Sequence, residues 1–511
     1  MPRDDRPIAF LVSTTPCAGA IRSNLGSSAY SYYFVYEALK PALERLGTCR
    51  LVEAAPSRLA SMAAQAEARG YRPVHLCLNP LQDAYFCPSV PTVAFPFWEY
   101  PEIPDRDFGV DTTQNWARVA RRADLILTAC TFTAEAFARS VAGVPIAVVP
   151  VPLDPAVLDT PDWEPSRRWT LDCRHEVWPS TPAPIVACPP AGPPGLAKRL
   201  YHRVYPRLDP KLVVRLDKAR RLLAKARADS PKGLILKVAK HGYRRHVRPL
   251  LSELAIRRVT RVKEAGMRAL GVSPREAIDP LLPSTPLTLS GLVYTSVFNL
   301  GDLRKNYVDL LSAYLTAHRD RPDATLVLKL ATSPRREHAE MAALRATYRA
   351  LGIGHRCRVV VITEFLDDAA MAELRRSTTY YVNTSHAEGA CLPLQEALAA
   401  GRPGIAPTHT SMADYMDAQV GFALRSHPEP TFWPHDPSRK VRTTRQRLVW
   451  SDIRDAFEAS YRLVEGDRAG YRTLADAARS RMAGYAGRGV AVEALRAALG
   501  LLDGDRVRLA S

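Results

Sequence analysis

Twice along the 511 residues, short runs of β-branched and aromatic residues alternate with helical patterns, and a block that can join neither series separates the two. In the first series the candidate strands are 8–13, 50–54, 74–78, 92–97, 125–129 and 146–151, with helical patterns at about 28–46, 59–69, 116–122 and 133–140 between them. From 291 the alternation resumes, with strands at 292–298, 325–330, 359–363 and 378–383 and helices at 305–317, 337–350 and 368–375. Strands that alternate with helices specify βαβ units, and so parallel sheets covered on both faces. The sequence therefore predicts an α/β chain with two doubly wound domains. A hydrophobic content of 47% supplies both cores.

The separating block begins with a Pro-rich stretch at 181–195, which propagates neither regular structure and reads as a linker. A strongly basic segment follows. Between Lys198 and Arg268 there are 22 Lys/Arg against five Asp/Glu, a net of +17 in a chain whose total is +18. The flanking domains are thus nearly neutral, and the basicity belongs to one insert. Its cations interleave with Leu, Val, Ile and Tyr, an amphipathic cationic helix pattern suited to an anionic membrane surface or another polyanion. A solvated helical decoration has the same pattern. No nucleic-acid-binding motif accompanies the charge and aromatics are few, so a nucleic-acid partner is not expected.

Nine scattered cysteines without CxxC spacing suit reduced thiols in a cytosolic protein and offer no zinc site. The first apolar run, 7–13, is too short for the core and cleavage site of a signal peptide and reads better as a strand. No stretch approaches the ~20 apolar residues of a spanning helix.

The segment 385–401 carries the most chemistry. It reads Ser-His-Ala-Glu-Gly-Ala-Cys-Leu-Pro-Leu-Gln-Glu-Ala-Leu-Ala-Ala-Gly. Glu388 lies in the loop at the carboxyl end of a predicted strand, where open α/β sheets bind ligands. Pro393 suits the first turn of a helix and Gly401 its C-terminal cap. The free N–H groups at that helix start favour an anion. Ionised carboxylates such as Glu388 and Glu396 accept several hydrogen bonds, which suits a vicinal diol.

This segment resembles the Glu-x7-Glu signature of retaining GT-B glycosyltransferases, particularly the large family four. The resemblance implies two Rossmann-like domains facing each other across a cleft, with C-terminal helices crossing back onto the first. It implies that Glu388 approaches the transferred sugar and Glu396 holds the ribose hydroxyls. Gly389 would let the backbone come close to the sugar, and Leu392 belongs to the same donor-side turn. The stretch 296–306 resembles the segment that grips the donor diphosphate, and implies that role for Arg304 and Lys305 at a helix start. Cations there would stabilise charge growing on the leaving group. Many relatives place a further arginine six residues before the lysine, where this chain has Asn299. Phe97-Trp-Glu-Tyr-Pro101 resembles a Trp-Glu motif of enzymes that build surface polysaccharides; Glu99 would orient an acceptor hydroxyl or fix the loop beneath Trp98. Gly26 lies in the first strand–helix turn, where relatives carry a glycine beside the phosphates. The stretch 408–414 matches a donor-side loop, and His386 and His409 read as structural.

The resulting organisation is an acceptor-side domain at 1–160, linker and basic insert at 161–285, a nucleotide-sugar domain at 286–450, and crossing helices at 451–511. The expected function is sugar transfer from a nucleotide-sugar donor to a glycan or lipid-linked acceptor in cell-surface polysaccharide synthesis, at the cytoplasmic membrane face. No metal or other cofactor is expected, because no Asp-x-Asp stands where a bridging metal would need it and the Arg/Lys pair can replace one. A phosphorylase or sugar-nucleotide epimerase on the same fold, or a non-catalytic polyanion-binding scaffold, are the alternatives, and fold alone does not choose between them.

Overall fold

A computed structural model describes residues 6–14, 31–52, 56–107, 112–178, 283–434, 436 and 439–508. Gly26, the Pro-rich linker and the basic segment 196–268 lie outside the described residues.

The first series forms a parallel six-stranded sheet from β1 (Ile8–Thr14), β2 (Gly47–Leu51), β3 (Arg72–Leu78), β4 (Thr92–Ala94), β5 (Leu125–Thr128) and β6 (Ile146–Val148), in the order β2-β1-β3-β4-β5-β6. Helices α1 (Ser31–Leu43), α2 (Pro56–Ala68), α3 (Trp116–Ala120), α4 (Thr131–Ala138) and α5 (Pro155–Leu158) accompany it. β1 and β3 are buried along nearly their whole length, as parallel strands covered on both faces must be. Tyr32, Val35, Tyr36, Leu39 and Leu43 of α1 recur at helical spacing and close one face of the sheet.

The second sheet has seven strands. β7 (Trp169–Cys173) and β8 (His175–Trp178) precede the undescribed segment, and β9 (Thr285–Leu289) and β10 (Leu292–Phe298) follow it. Next come α6 (Tyr307–Ala317), β11 (Ala324–Leu330), α7 (Pro334–Leu351), β12 (Arg358–Ile362), α8 (Asp368–Ser377), β13 (Tyr380–Val382), α9 (Leu392–Ala399), β14 (Gly404–Pro407) and β15 (Gly421–Leu424). The order is β15-β14-β13-β10-β11-β12-β8, all parallel except β8. β10 pairs with both β11 and β13, so the strand order reverses between β10 and β13. Such a switch point opens a crevice beyond the carboxyl ends of the two strands.

Two segments depart from expectation. Residues 169–178, placed in the linker, belong to the second domain: β8 pairs antiparallel with β12, and β7 pairs with β9 from the far side of the basic segment. The alternation Trp169, Leu171, Cys173 is the period-2 signal for β7, but its partner lies more than a hundred residues away. The second is a two-stranded ribbon of β16 (Ser426–Phe432) and β17 (Arg442–Leu448). Pro428 and Pro430 argue against a strand in the sequence. They occupy alternate positions, whose N–H sides share one edge, and a two-stranded ribbon has an open edge to spare.

Three helices end the chain: α10 (Trp450–Gly466), α11 (Arg468–Ala486) and α12 (Arg488–Arg508). α10 packs Ile453, Phe457 and Val464 into the second core. α12 places Val492, Leu495, Ala498 and Leu499 in the first core, against the residues of α1 and the first sheet. No described helix is long and apolar enough to cross a membrane. The seven described cysteines are free thiols.

Candidate active site

The loops after β10 and β13 flank the switch point, and each is bent by its own polar side chains. After β10, Asn299 Oδ1 accepts Gly301 N–H at 3.0 Å and Asp302 Oδ1 accepts Arg304 N–H at 3.3 Å. This turns the chain into a single 3₁₀ turn, Leu303–Lys305. Asn306, left-handed at φ 51°, then starts α6. Arg304 and Lys305 therefore sit in the turn before the helix, whereas the sequence pattern predicts a helix start at Lys305. After β13, Asn383 Oδ1 accepts Ser385 N–H at 2.8 Å and folds the signature loop back on itself. Cys391, at φ 57°, redirects it into α9.

Glu388 is the centre of the site. Its carboxylate is 5% exposed and meets Lys305 Nζ at 2.6 Å and Arg304 Nη1 at 2.9 Å. Ser385 Oγ donates to it at 2.7 Å and Asn383 Nδ2 at 3.2 Å. Its main chain is gripped as well: Glu388 N–H donates to Thr410 Oγ1 at 3.1 Å and Ser411 N–H to Glu388 O at 3.3 Å. Burial alone would raise the carboxyl's pKa. Lys305 and Arg304 outweigh burial and hold it well below the usual carboxylate range.

Arg304 bridges the cleft. Beyond Glu388 its guanidinium meets Asp302 at 2.8 Å, Glu99 of the first domain at 3.0 Å and Ala387 O at 2.6 Å. Around this point two cations face three carboxylates. Glu99 extends from the loop after β4, whose Trp98 is 2% exposed and packs on Trp116 at 4.7 Å. Burial raises the Glu99 pKa, with Arg304 opposing. Trp98 donates its indole N–H to Glu102 O at 3.1 Å, so Glu99 is not what fixes the indole.

The other expected residues are placed differently. At Gly389 an added Cβ would meet Phe97 Cβ and Trp98 N at 3.4 Å, so its bare backbone lies against the first domain. Leu392 packs, half-buried, into the first domain's core beside Phe97 and Ala390. Glu396 does not join the Glu388 network. It is half-buried on α9, bonded at 3.1 Å to Arg375 of α8, and lines a crevice with Thr295, Val297, Met371 and Tyr381. Burial raises its pKa and Arg375 opposes that.

Sequence reasoning missed three contributors. Asn383 and Ser385 stand in the signature loop itself, and their small polar side chains five and three residues before Glu388 are the signal. The turn after β14 was noted, yet not its strain: Thr410 is β-branched and sits at φ 53°. Of four described non-glycine residues with left-handed φ, Asn306, Cys391 and Thr410 ring Glu388, and Arg439 lies in the β16–β17 connection. Backbone strain of about 1–3 kcal/mol each concentrates at functional sites. The ribbon is the third contributor. Gln446 and His386 are joined twice, Gln446 N–H to His386 O at 3.0 Å and His386 Nδ1 to Gln446 O at 2.9 Å. Thr443 Oγ donates to Glu102 at 2.7 Å, and Trp433 packs on Trp98 at 5.5 Å, so the ribbon ties both walls together.

No family model and no curated protein matches the chain. Among solved structures it is similar to sucrose-phosphate synthase from Thermosynechococcus elongatus, at 14% identity over 99% of this chain and 100% of that one, with a TM-score of 0.51. HepE from Anabaena, in complex with UDP and glucose, gives 12% identity, coverages of 97% and 99%, and a TM-score of 0.47. Trehalose 6-phosphate synthase from Burkholderia multivorans gives 12% identity, coverages of 99% and 100%, and a TM-score of 0.44. The fold assignment rests on the first of these. Two parallel α/β sheets with a charged cleft at the second sheet's switch point, together with the likeness to that synthase, make this a GT-B fold.

Proposed function

We propose that the chain is a retaining glycosyltransferase that moves a hexose from a nucleotide-sugar donor to a glycan or lipid-linked acceptor. The observation that carries this reading is Glu388: a buried carboxylate, held ionised between Arg304 and Lys305 at the switch point, with Glu99 facing it across the cleft. An ionised carboxylate accepts hydroxyl hydrogen bonds from a sugar. His409 Nε2 and Ser411 Oγ are buried beside it without partners among the described residues, and burial pushes the His409 pKa down to about 4, so a neutral imidazole and a hydroxyl add to the polar lining. In this reading Arg304 and Lys305 stabilise the departing diphosphate without a metal, and Glu396 holds the ribose from the α8–α9 crevice. Glu99 orients the acceptor hydroxyl.

The +17 segment, inserted in the sequence of the second domain between β8 and β9, favours an acceptor held at an anionic membrane face, with the protein peripheral on its cytoplasmic side in surface polysaccharide synthesis. The ion network gives the non-catalytic scaffold no support, because such strained, buried charge is costly to keep without a substrate.

A thermal-shift panel of UDP, GDP, ADP, CDP and TDP tests the donor half. The correct diphosphate at a hundred times its dissociation constant stabilises the fold by about 2.7 kcal/mol. Five unchanged melting temperatures at millimolar ligand would defeat the reading. The anomeric configuration of the product, compared with that of the donor, tests retention.

A further inference from the structure

Two cations opposed by three carboxylates are a poor receptor for a diphosphate. Arg304 is committed to Glu99, Asp302, Glu388 and Ala387 O, and Lys305 to Glu388. A further cation must come from another element, and the β16–β17 ribbon brings one.

Thr443, Arg445 and Arg447 alternate along β17 and so share one face of the ribbon. The two ends of that row are fixed on opposite walls. Thr443 bonds Glu102 of the first domain at 2.7 Å, and Arg447 approaches Asp309 of α6 in the second at 3.9 Å. Arg445 lies between these two anchored positions, one residue from the Gln446–His386 bonds that clamp the ribbon to the signature loop. Its charge is felt by Tyr100, as are those of Glu99, Arg304 and Asp302, and by His386. Its Nε–H is buried and has no partner among the described residues. Its Nη2 makes long bonds of 3.3 and 3.4 Å to Glu429, a half-exposed carboxylate on the neighbouring strand. Such an exposed pair holds weakly.

We infer that Arg445 is the missing cation: on the transferase reading above, it binds a phosphate oxygen of the donor's diphosphate, and the ribbon is the element that delivers it. A guanidinium suits this task because it stays charged when half-buried and presents several donors to one phosphate.

Titration calorimetry of the full chain decides it, with the nucleoside diphosphate that the panel selects and with the matching nucleoside. Arg445→Gln is expected to weaken the diphosphate roughly tenfold or more, the size of one charge-assisted hydrogen bond, and to leave nucleoside affinity unchanged. Arg445→Lys recovers part of the loss. Glu429→Gln frees the guanidinium and leaves diphosphate affinity equal or tighter. If Arg445 only braces the ribbon through Glu429, Glu429→Gln and Arg445→Gln move binding in the same direction, and that result overturns the assignment. Unchanged diphosphate affinity in folded Arg445→Gln overturns it too, even with turnover reduced, since that pattern places Arg445 on the acceptor. Failure of the wild-type chain to bind any of the five diphosphates is a different result: it removes the donor reading itself, and this assignment with it.

Discussion

The two walls of the cleft solve the same problem, holding a carboxylate near Arg304, by opposite means. The second-domain wall is polar and strained: Glu388 is surrounded by Lys305, Arg304, Ser385 and Asn383 on a loop fixed by left-handed residues. The first-domain wall is aromatic. Glu99 stands beside Trp98, Tyr100, Trp116 and Trp433, with Arg304 as its single ion-pair partner among the described residues. The electrostatic outcome follows the environment. Cations pull the Glu388 pKa down, and burial pushes that of Glu99 up. One carboxylate is held charged by its cations, whereas burial favours the protonated form of the other.

The largest expected effect breaks this contrast at Glu388. Glu388→Gln removes a buried carboxylate that is the countercharge of half-buried Lys305 and Arg304, and should cost about 3–5 kcal/mol by denaturant unfolding at pH 7. Because its folded pKa is depressed, Glu388 contributes stability above the unfolded carboxyl value of about 4.3 and loses it as pH falls. The gap between wild type and Glu388→Gln should therefore shrink towards pH 3. Glu99→Gln should cost less, about 1–2 kcal/mol for a lost hydrogen-bonded ion partner, and its pH trend should run the other way. A raised folded pKa contributes stability at low pH that is lost as pH rises through it, so the cost of Glu99→Gln is least near neutrality and grows on acidification. Parallel pH trends in the two variants would show that the walls do not differ electrostatically.

A smaller effect belongs to the seam between the walls. An added Cβ at Gly389 would rest at 3.4 Å from Phe97 Cβ and Trp98 N, at the tight end of ordinary contact, so Gly389→Ala should cost less than about 1 kcal/mol. Turnover separates two roles for the missing side chain. A large loss of activity with stability intact means that substrate needs the bare backbone. Equal small losses in both mean that the glycine serves only the contact with Trp98.

What the sequence made legible was local. Strand–helix alternation marked most of the parallel strands, because parallel strands buried on both faces read as continuous apolar runs. The spacing from Glu388 through Pro393 to Gly401 placed a loop, a helix start and a helix end. Gly401 is left-handed at φ 66°, one residue beyond the cap of α9. Long-range pairings stayed hidden. β7 joins β9 across the basic segment, Arg304 reaches Glu99 from another domain, and Trp433 finds Trp98 from a ribbon whose prolines disguise it. None of these has a sequence period, since each depends on which surfaces the fold brings together. The helix expected to begin at Lys305 fails for a nearer reason: Asp302 caps Arg304 N–H and Asn306 turns left-handed, which closes a separate 3₁₀ turn first.

The smallest effect tests whether strain belongs to the polar wall. Thr410 holds φ 53° while its hydroxyl accepts Glu388 N–H at 3.1 Å. Relief of a left-handed β-branched residue is worth about 1–3 kcal/mol. Thr410→Gly gains that relief, loses the hydroxyl's two hydrogen bonds, to Glu388 N–H and to His409 O, of about 1 kcal/mol each, and adds about 0.5–1 kcal/mol of unfolded-state freedom. At the middle of these ranges the net is a loss of about 1 kcal/mol. Thr410→Ala loses the same two bonds yet keeps a Cβ at positive φ, so it should unfold at lower denaturant than Thr410→Gly. The reverse order would mean that the turn around Glu388 is relaxed and that its hydroxyl bonds alone hold it. With the expected order, any fall in turnover of Thr410→Gly at unchanged stability measures what the strained turn does for the position of Glu388.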